Sequence, residues 1–195
     1  MTKMTLIAMS MAALSMSALA APEVKLTTAS PTVNVGDVFS VLLSAASFDV
    51  ISGKSIDNIS GAKDLTFSFT NSTLEVVSVA FAPQWTFGVS LGVVDQAAGS
   101  ITGARFGSFP AVTGTDFAIG TVTLKAIAAG TGTLDLVSGT FQGKLGGVSG
   151  QSFSPAMGEV SVAVTSAVPE PMSAAMLLAG LGCLAFVAKR RAPAA

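Results

Sequence analysis

The chain has 195 residues, with no histidine, no tyrosine and a single cysteine, Cys183. The lack of histidine excludes Ser-His-Asp and Cys-His catalytic relays as well as histidine-ligated zinc sites. Cys183 lies in an uncharged stretch near the C-terminus, where cysteine is an ordinary small apolar residue. Residues 21–167 therefore contain no disulfide and no thiolate, so this part must be stabilised by packing.

Acidic residues are few and widely spaced, since the closest two of the eleven, Asp57 and Asp64, are seven residues apart. Glycoside hydrolysis needs two carboxylates that converge in space, and no predicted strand presents two neighbouring acids. We therefore expect that the protein is not an enzyme. A contiguous calcium-binding loop is also absent, although Asp49, Asp57, Asn58 and Asp64 lie in or beside one polar segment. They are weak candidates for a calcium site, and a solvated loop is the preferred interpretation.

The charge balance argues against nucleic acid as a partner. Residues 21–167 contain ten acidic and six basic side chains, which gives a net charge of about −4. A nucleic-acid-binding protein needs a basic surface to neutralise phosphates.

The N-terminal residues have the pattern of a secretory signal peptide. Lys3 is followed by an uncharged stretch over residues 4–19, which ends in the small-residue motif Ala18-Leu19-Ala20. This motif predicts cleavage after Ala20, so that residues 1–20 are removed. The alternative is an N-terminal membrane anchor that is not cleaved.

The C-terminal residues 168–195 combine a short proline motif, a hydrophobic stretch and a basic end. Residues 172–188 are uncharged, and as a helix they would be roughly 26 Å long, near the lower limit for crossing a membrane. The motif before the stretch consists of Pro169, Glu170 and Pro171, and the membrane stop after it of Lys189, Arg190 and Arg191. Because basic residues stay on the cytoplasmic side, everything before Pro169 is predicted to be exported.

These three parts, in this order, resemble the PEP-CTERM sorting signal of bacterial proteins. In that family the membrane transpeptidase exosortase recognises the signal and is thought to cut near the Pro-Glu-Pro motif. The resemblance implies that Pro169, Glu170 and Pro171 are recognition residues and that exosortase is a partner. It also implies an inner-membrane intermediate that precedes release to the cell surface or the extracellular space. An ordinary C-terminal anchor is the alternative.

The pattern of residues 21–167 is that of β-strands. Residues 65–70 alternate strictly, with Leu65, Phe67 and Phe69 on one face and hydroxyl side chains on the other. Strands are also predicted at 23–27, 38–43, 74–81, 100–106, 117–126, 131–137 and 159–164. The segments 48–62, 107–115 and 139–158 are predicted to be loops. The predicted core consists of Phe39, Phe67, Phe69, Val77, Phe117, Ile119, Val122 and Leu124.

Short strands, glycine-rich turns and the lack of a helical pattern predict an all-β fold, an antiparallel β-sandwich or jelly roll of about nine strands. The length of residues 21–167 suits one domain with its own core.

Four segments of this domain, residues 35–41, 64–69, 74–79 and 119–126, followed by a turn at 130–132, resemble a cohesin-type domain. The resemblance implies a nine-stranded jelly-roll sandwich. Better-known members of that family bind a dockerin partner, and related modules bind carbohydrate. The polar segment 48–62 is longer than the family pattern expects.

An adhesive or structural role at the cell surface or in the extracellular matrix is the expected function, and carbohydrate binding to extracellular polysaccharide is the alternative. Sugar-binding sandwiches use exposed aromatic rings with polar neighbours. Trp85 is the first candidate for a ligand contact, and Phe106 and Phe109 are the next. A lone tryptophan in a small sandwich is more often a core residue, and this is the preferred interpretation of Trp85.

Overall fold

A computed structural model describes residues 20–166, which form strands, turns and loops without any helix. The predicted signal peptide (apart from Ala20), the Pro-Glu-Pro motif, the membrane span 172–188 and the basic end lie outside the described residues. Within residues 20–166, no helix of the length and hydropathy needed to cross a membrane is present.

The described residues form fourteen strand segments. In chain order they are β1 (Glu23–Thr28), β2 (Thr32–Asn34), β3 (Val38–Ala46), β4 (Val50–Ile51), β5 (Lys54–Phe69), β6 (Leu74–Phe81), β7 (Phe87–Ser90), β8 (Val93–Asp95), β9 (Ser100–Val112), β10 (Phe117–Ala126), β11 (Gly130–Leu145), β12 (Val148–Phe153), β13 (Ala156–Met157) and β14 (Glu159–Thr165). Nine of these segments have six or more residues, and the other five are shorter.

The strands form two sheets that pack face to face. The five-stranded sheet has the order β13-β1-β3-β10-β6. The nine-stranded sheet has the order β2-β14-β11-β5-β9-β7, and β12, β4 and β8 pair with β11, β5 and β9 respectively. Pairing is antiparallel except between β1 and β13 and between β14 and β2. The predicted all-β sandwich is therefore confirmed for the described residues.

The core lies between the two sheets because alternate residues of each strand face inward. In β3, for example, Phe39, Val41 and Leu43 are buried while their neighbours are exposed. Six of the eight predicted core residues are buried: Phe39, Phe67, Phe69, Ile119, Val122 and Leu124. Phe117 is partly buried and packs against this core.

The prediction for Val77 is wrong, because its side chain is 54% exposed. The pairing of β6 with β10 shifts register at this point, since Thr123 faces Ser78 while Leu124 faces Val76. The extra residue forms a β-bulge, which turns the side chain of Val77 to solvent. Val76 and Val79 are the buried residues of this part of β6.

Three segments predicted to be loops are largely strands. β5 begins at Lys54, β9 continues to Val112, and β11 continues to Leu145 before β12 pairs with it. The long strands β5 and β11 pair over most of their length, with four register shifts between them. Such shifts interrupt the alternation that identifies a strand in a sequence, and this is why the sequence pattern predicted loops there.

One end of the sandwich is filled by a cluster of aromatic side chains, here called the aromatic cluster. The ring of Phe48 makes edge-to-face contacts with Phe117, Phe141 and Phe153, at centroid distances of 5.3, 5.4 and 5.9 Å. Trp85 lies 4.4 Å from Phe106, whose ring is 6.0 Å from Phe141. Edge-to-face and tilted pairs of this kind stabilise a fold beyond the area that they bury. The cluster therefore joins β9, β10, β11 and β12 to one another.

Candidate functional site

A depression lies on the outer face of the nine-stranded sheet, and we call it the outer groove. It has a volume of about 650 Å³. Its lining is drawn from β5, β7, β9 and β11 and includes Ser60, Gly61, Lys63, Phe87, Arg105, Gly107, Phe109 and Gln142.

Two glycines that are paired with each other on neighbouring strands create the groove. Phe87 of β7 pairs with Gly107 of β9, Gly107 pairs with Gly61 of β5, and Gly61 pairs with Gln142 of β11. The two central positions are glycine, so the flanking residues stand above a floor of backbone. A Cβ atom at Gly61, whose φ is +159°, would lie 2.3 Å from the carbonyl oxygen of Phe106, so only glycine allows this close approach.

Below the floor lies the aromatic cluster. Phe106 is the neighbour of Gly107 and Arg105 on β9, and its ring points inward, where it packs against Trp85 and Phe81. Because successive residues of a strand point to opposite faces, the residues that form the groove and the residues that support it alternate along β9. A rigid core thus supports the groove.

Two phenylalanine rings form the apolar walls. Phe87 is 72% exposed and Phe109 is 90% exposed. In and between β7 and β8, the side chains of Val89, Leu91, Val93 and Val94 are also exposed. Scattered exposed apolar residues are ordinary, but two exposed rings in one depression mark a candidate interaction surface.

The charged residues of the groove are both basic. Lys63 and Arg105 line it, and in the part of the chain that the structure describes the one ion pair joins Lys25 to Glu23. The two positive charges are therefore not neutralised by a salt bridge, although the domain as a whole is acidic. At the rim, Ser60 Oγ donates a hydrogen bond to the carbonyl oxygen of Gln142 at 3.1 Å, which ties β5 to β11.

The three aromatic residues named as candidate ligand contacts have different positions. Trp85 is 4% exposed, and its Nε1–H donates a hydrogen bond to the carbonyl oxygen of Ala118 at 3.2 Å. It is a core residue, as the preferred interpretation held, and Phe106 is buried as well. Phe109 lines the groove. Phe87 was missed, although it begins a stretch of exposed apolar residues that follows the core residue Trp85.

The calcium candidates do not come together. Asp57 and Asp64 are seven residues apart on β5, which separates them by roughly 20 Å, too far for one ion. Among residues 20–166, no group of three or more acidic, histidine or cysteine side chains is placed to hold a metal ion. The structure thus does not bring Asp49, Asp57 and Asp64 together as one site.

Asp57 has a structural role instead. Its Oδ1 accepts a hydrogen bond from Ser55 Oγ at 2.7 Å, and its Oδ2 accepts one from the Gly147 N–H at 2.8 Å. The bond from Ser55, then that from Gly147, and the positive charge of Lys144 hold the pKa of Asp57 below its ordinary value. The carboxylate thus joins β5 to the turn between β11 and β12.

Replacing Ser55 by alanine is expected to raise the pKa of Asp57 toward the ordinary value for aspartate. A carboxyl whose folded-state pKa is lowered stabilises the fold above its unfolded-state pKa, and this contribution is lost as the pH falls through the folded-state pKa. A carboxyl NMR titration measures the change directly. Ser60→Ala is the control and should leave the titration of Asp57 unchanged; an identical curve in the Ser55 variant would show that this hydrogen bond is not formed.

Comparison with solved structures identifies the fold. A cohesin module of a family 33 glycoside hydrolase from Clostridium perfringens is similar, with a TM-score of 0.55 and 15% identity over 75% of this chain and 98% of that one. A chain of a type I cohesin–dockerin complex from Clostridium thermocellum has a TM-score of 0.57 and 12% identity, over 75% of this chain and 100% of that one. A non-cellulosomal cohesin from Archaeoglobus fulgidus has a TM-score of 0.56 and 16% identity, over 75% of this chain and 93% of that one.

No protein-family model matches the chain, and no curated protein is significantly similar to it in sequence. The structural similarities therefore establish a cohesin-like fold, and the predicted resemblance is confirmed at that level.

Proposed function

We propose that the chain is an exported bacterial interaction module that acts at the cell surface or in the extracellular matrix, and that the outer groove binds a protein partner. The observation that carries this proposal is the groove with its glycine floor, which Phe87 and Phe109 line with two exposed rings. Aromatic side chains of this kind dominate the binding energy of protein interfaces.

Two further features support a binding role. One of the similar structures is a cohesin–dockerin complex, so in that protein the fold takes part in a protein interface. The chain lacks histidine and its acidic residues are scattered, which is why we propose binding without catalysis. The adhesive or structural role predicted from the sequence would follow from such binding.

A photo-crosslinking amino acid at position 87 tests the proposal in the bacterium that exports the protein. We expect an adduct with an extracellular protein from position 87 and none from position 38, because Val38 is exposed on the other sheet. Equal adducts from both positions, or none from position 87, would contradict the proposal.

Carbohydrate binding is the second candidate, because the same rings stand beside Gln142, Lys63 and Arg105. Polar and cationic side chains next to aromatic faces are what a sugar-binding site requires. The crosslinking experiment separates the two candidates. An adduct from position 87 whose mass falls on treatment with glycosidases, and whose digest contains peptides of this chain alone, would favour carbohydrate.

We further propose that exosortase sorts the chain through Pro169, Glu170 and Pro171, with residues 172–188 as a temporary membrane anchor. Replacing the three motif residues by alanine should keep the chain in the membrane fraction at its unprocessed mass, because the recognition site is lost while the span remains. Fractionation followed by mass spectrometry measures this result. A host without exosortase is the control, and equal release of both chains from a host with exosortase would exclude the sorting model.

A further inference from the structure

A β-bulge places the two basic side chains of the outer groove next to each other. The pairing of β5 with β9 shifts register between Ala62 and Leu65. Two residues of β5, Lys63 and Asp64, therefore lie opposite one residue of β9, Arg105. Lys63 lines the outer groove together with Arg105, whereas Asp64 lines a separate depression beside β11. In the groove, the neighbour of Arg105 is thus the cation and not the carboxylate.

No carboxylate forms an ion pair with either of these charges in the part of the chain that the structure describes. The one ion pair among residues 20–166 joins Lys25 to Glu23, and none of the residues that line the groove is acidic. Residues 21–167 nevertheless have a net charge of about −4, so the groove is a positive site on an acidic domain. Like charges on opposed residues are destabilising, and a negative group bound between them would remove this cost.

The other polar groups of the groove narrow the choice of ligand. Ser60 Oγ donates a hydrogen bond to the carbonyl oxygen of Gln142 at 3.1 Å, and Ser108 Oγ donates one to the carbonyl oxygen of Pro110 at 2.8 Å. Because the backbone takes both hydroxyl hydrogens, the donors left for a ligand are the two cations and the side-chain amide of Gln142. A neutral sugar needs acceptors for its hydroxyl groups as well as donors, whereas a carboxylate needs donors alone. The groove is therefore better suited to a carboxylate than to a neutral sugar.

We propose, building on the proposed function, that the outer groove binds an acidic segment of its protein partner and holds an aspartate or glutamate side chain between Lys63 and Arg105. A guanidinium group donates two parallel hydrogen bonds to a carboxylate, and an ammonium group adds a positive charge beside it. The exposed rings of Phe87 and Phe109, which line the same groove, contact apolar side chains of the same segment. Charge thus selects the partner, and the rings supply the buried contact area.

Charge reversal in the chain with the photo-crosslinking amino acid at position 87 tests this proposal. Lys63→Glu with Arg105→Glu should reduce the yield of the protein adduct at least about tenfold, because two attractive charges become repulsive. Lys63→Arg with Arg105→Lys keeps both charges and should retain the adduct. The matched control, Lys54→Glu with Lys125→Glu, makes the same change in net charge at exposed positions outside the groove and should leave the yield unchanged.

A carbodiimide, which joins a carboxylate directly to a lysine amine, tests the contact itself. In a mixture of the full chain with the purified partner that position 87 captures, it should join Lys63 to an aspartate or glutamate of the partner. Digestion and mass spectrometry then locate both residues. Lys63→Gln should abolish this link, and Lys125→Gln, on the other sheet, should not affect it.

The results distinguish a wrong partner chemistry from a wrong binding site. Full yield of the adduct after charge reversal, or no carbodiimide link to Lys63, would overturn the acidic segment and leave the groove as the binding site. An adduct with an acidic polysaccharide would also overturn it, since the anion would then not belong to a protein. The absence of any adduct from position 87 in the chain with both cations would contradict the proposed function itself.

A second variant covers the case in which the charge-reversed chain does not fold, as judged by the near-ultraviolet circular dichroism of Trp85. Lys63→Gln with Arg105→Gln removes both charges without adding new ones. It should also lower the yield of the adduct, and full yield from this folded variant would overturn the proposal.

Discussion

Replacing Phe141 by alanine is expected to lower the free energy of unfolding by about 3–5 kcal/mol, the usual loss for a large aromatic residue in a core. The side chain of Phe141 is 0% exposed. Its ring contacts Phe48, Phe106 and Phe153 in the aromatic cluster. Removing it leaves a cavity that several strands must shift to fill, and rigid backbone pairing on both sides of β11 limits that movement.

Urea unfolding of residues 21–167 followed by circular dichroism measures this loss. Phe109→Ala is the control, because Phe109 is almost fully exposed and its removal should change the free energy of unfolding by less than about 0.5 kcal/mol. The comparison also tests the strand assignment, since Phe141 lies in the segment 139–158 that the sequence pattern predicted to be a loop. Equal effects of the two substitutions would mean that this segment is not part of the core.

Removing both groove rings, Phe87→Ala with Phe109→Ala, is expected to weaken binding of the crosslinked partner by at least about 100-fold. Central aromatic residues of an interface contribute about 2 kcal/mol or more each, and such contributions are not additive. The fold should be unaffected because both rings are exposed. The loss should therefore appear in affinity and not in stability.

Affinity for the purified partner can be measured by calorimetry. The near-ultraviolet circular dichroism of Trp85, which is buried against Phe106, reports whether the region below the groove is intact. The control, Val38→Ala with Leu42→Ala, removes two exposed apolar side chains from the other sheet and should retain full affinity. A similar loss in the control, or full binding by the groove variant, would place the interface elsewhere.

The fold could be predicted from the sequence where strands alternate without interruption. β3 and the second half of β5 have a clear period of two, and their predicted inward residues Phe39, Phe67 and Phe69 are buried. The prediction was wrong where a bulge or a glycine breaks the period. Val77 faces solvent because of a bulge whose position depends on the pairing of β6 with β10, and pairing of distant strands is not visible in a local pattern.

Only part of the outer groove could be predicted from the sequence. Phe109 was a candidate, but its partner in the groove, Phe87, lies on another strand and is brought near by the pairing of β7 with β9. The glycine floor arises because Gly61 and Gly107, which are 46 residues apart in the sequence, are paired with each other on β5 and β9. Trp85 and Phe106 were plausible contacts by residue type, yet the alternation of strand faces directs Phe106 inward, where it packs on Trp85.

The central claim, that the outer face of the nine-stranded sheet binds the partner, is tested most directly by hydrogen exchange with and without that partner. The account predicts slower exchange at the backbone amides of residues 59–63, 87–90 and 105–109, with no change along β3 and β10. Slower exchange confined to the five-stranded sheet, with the groove strands unchanged, would contradict it.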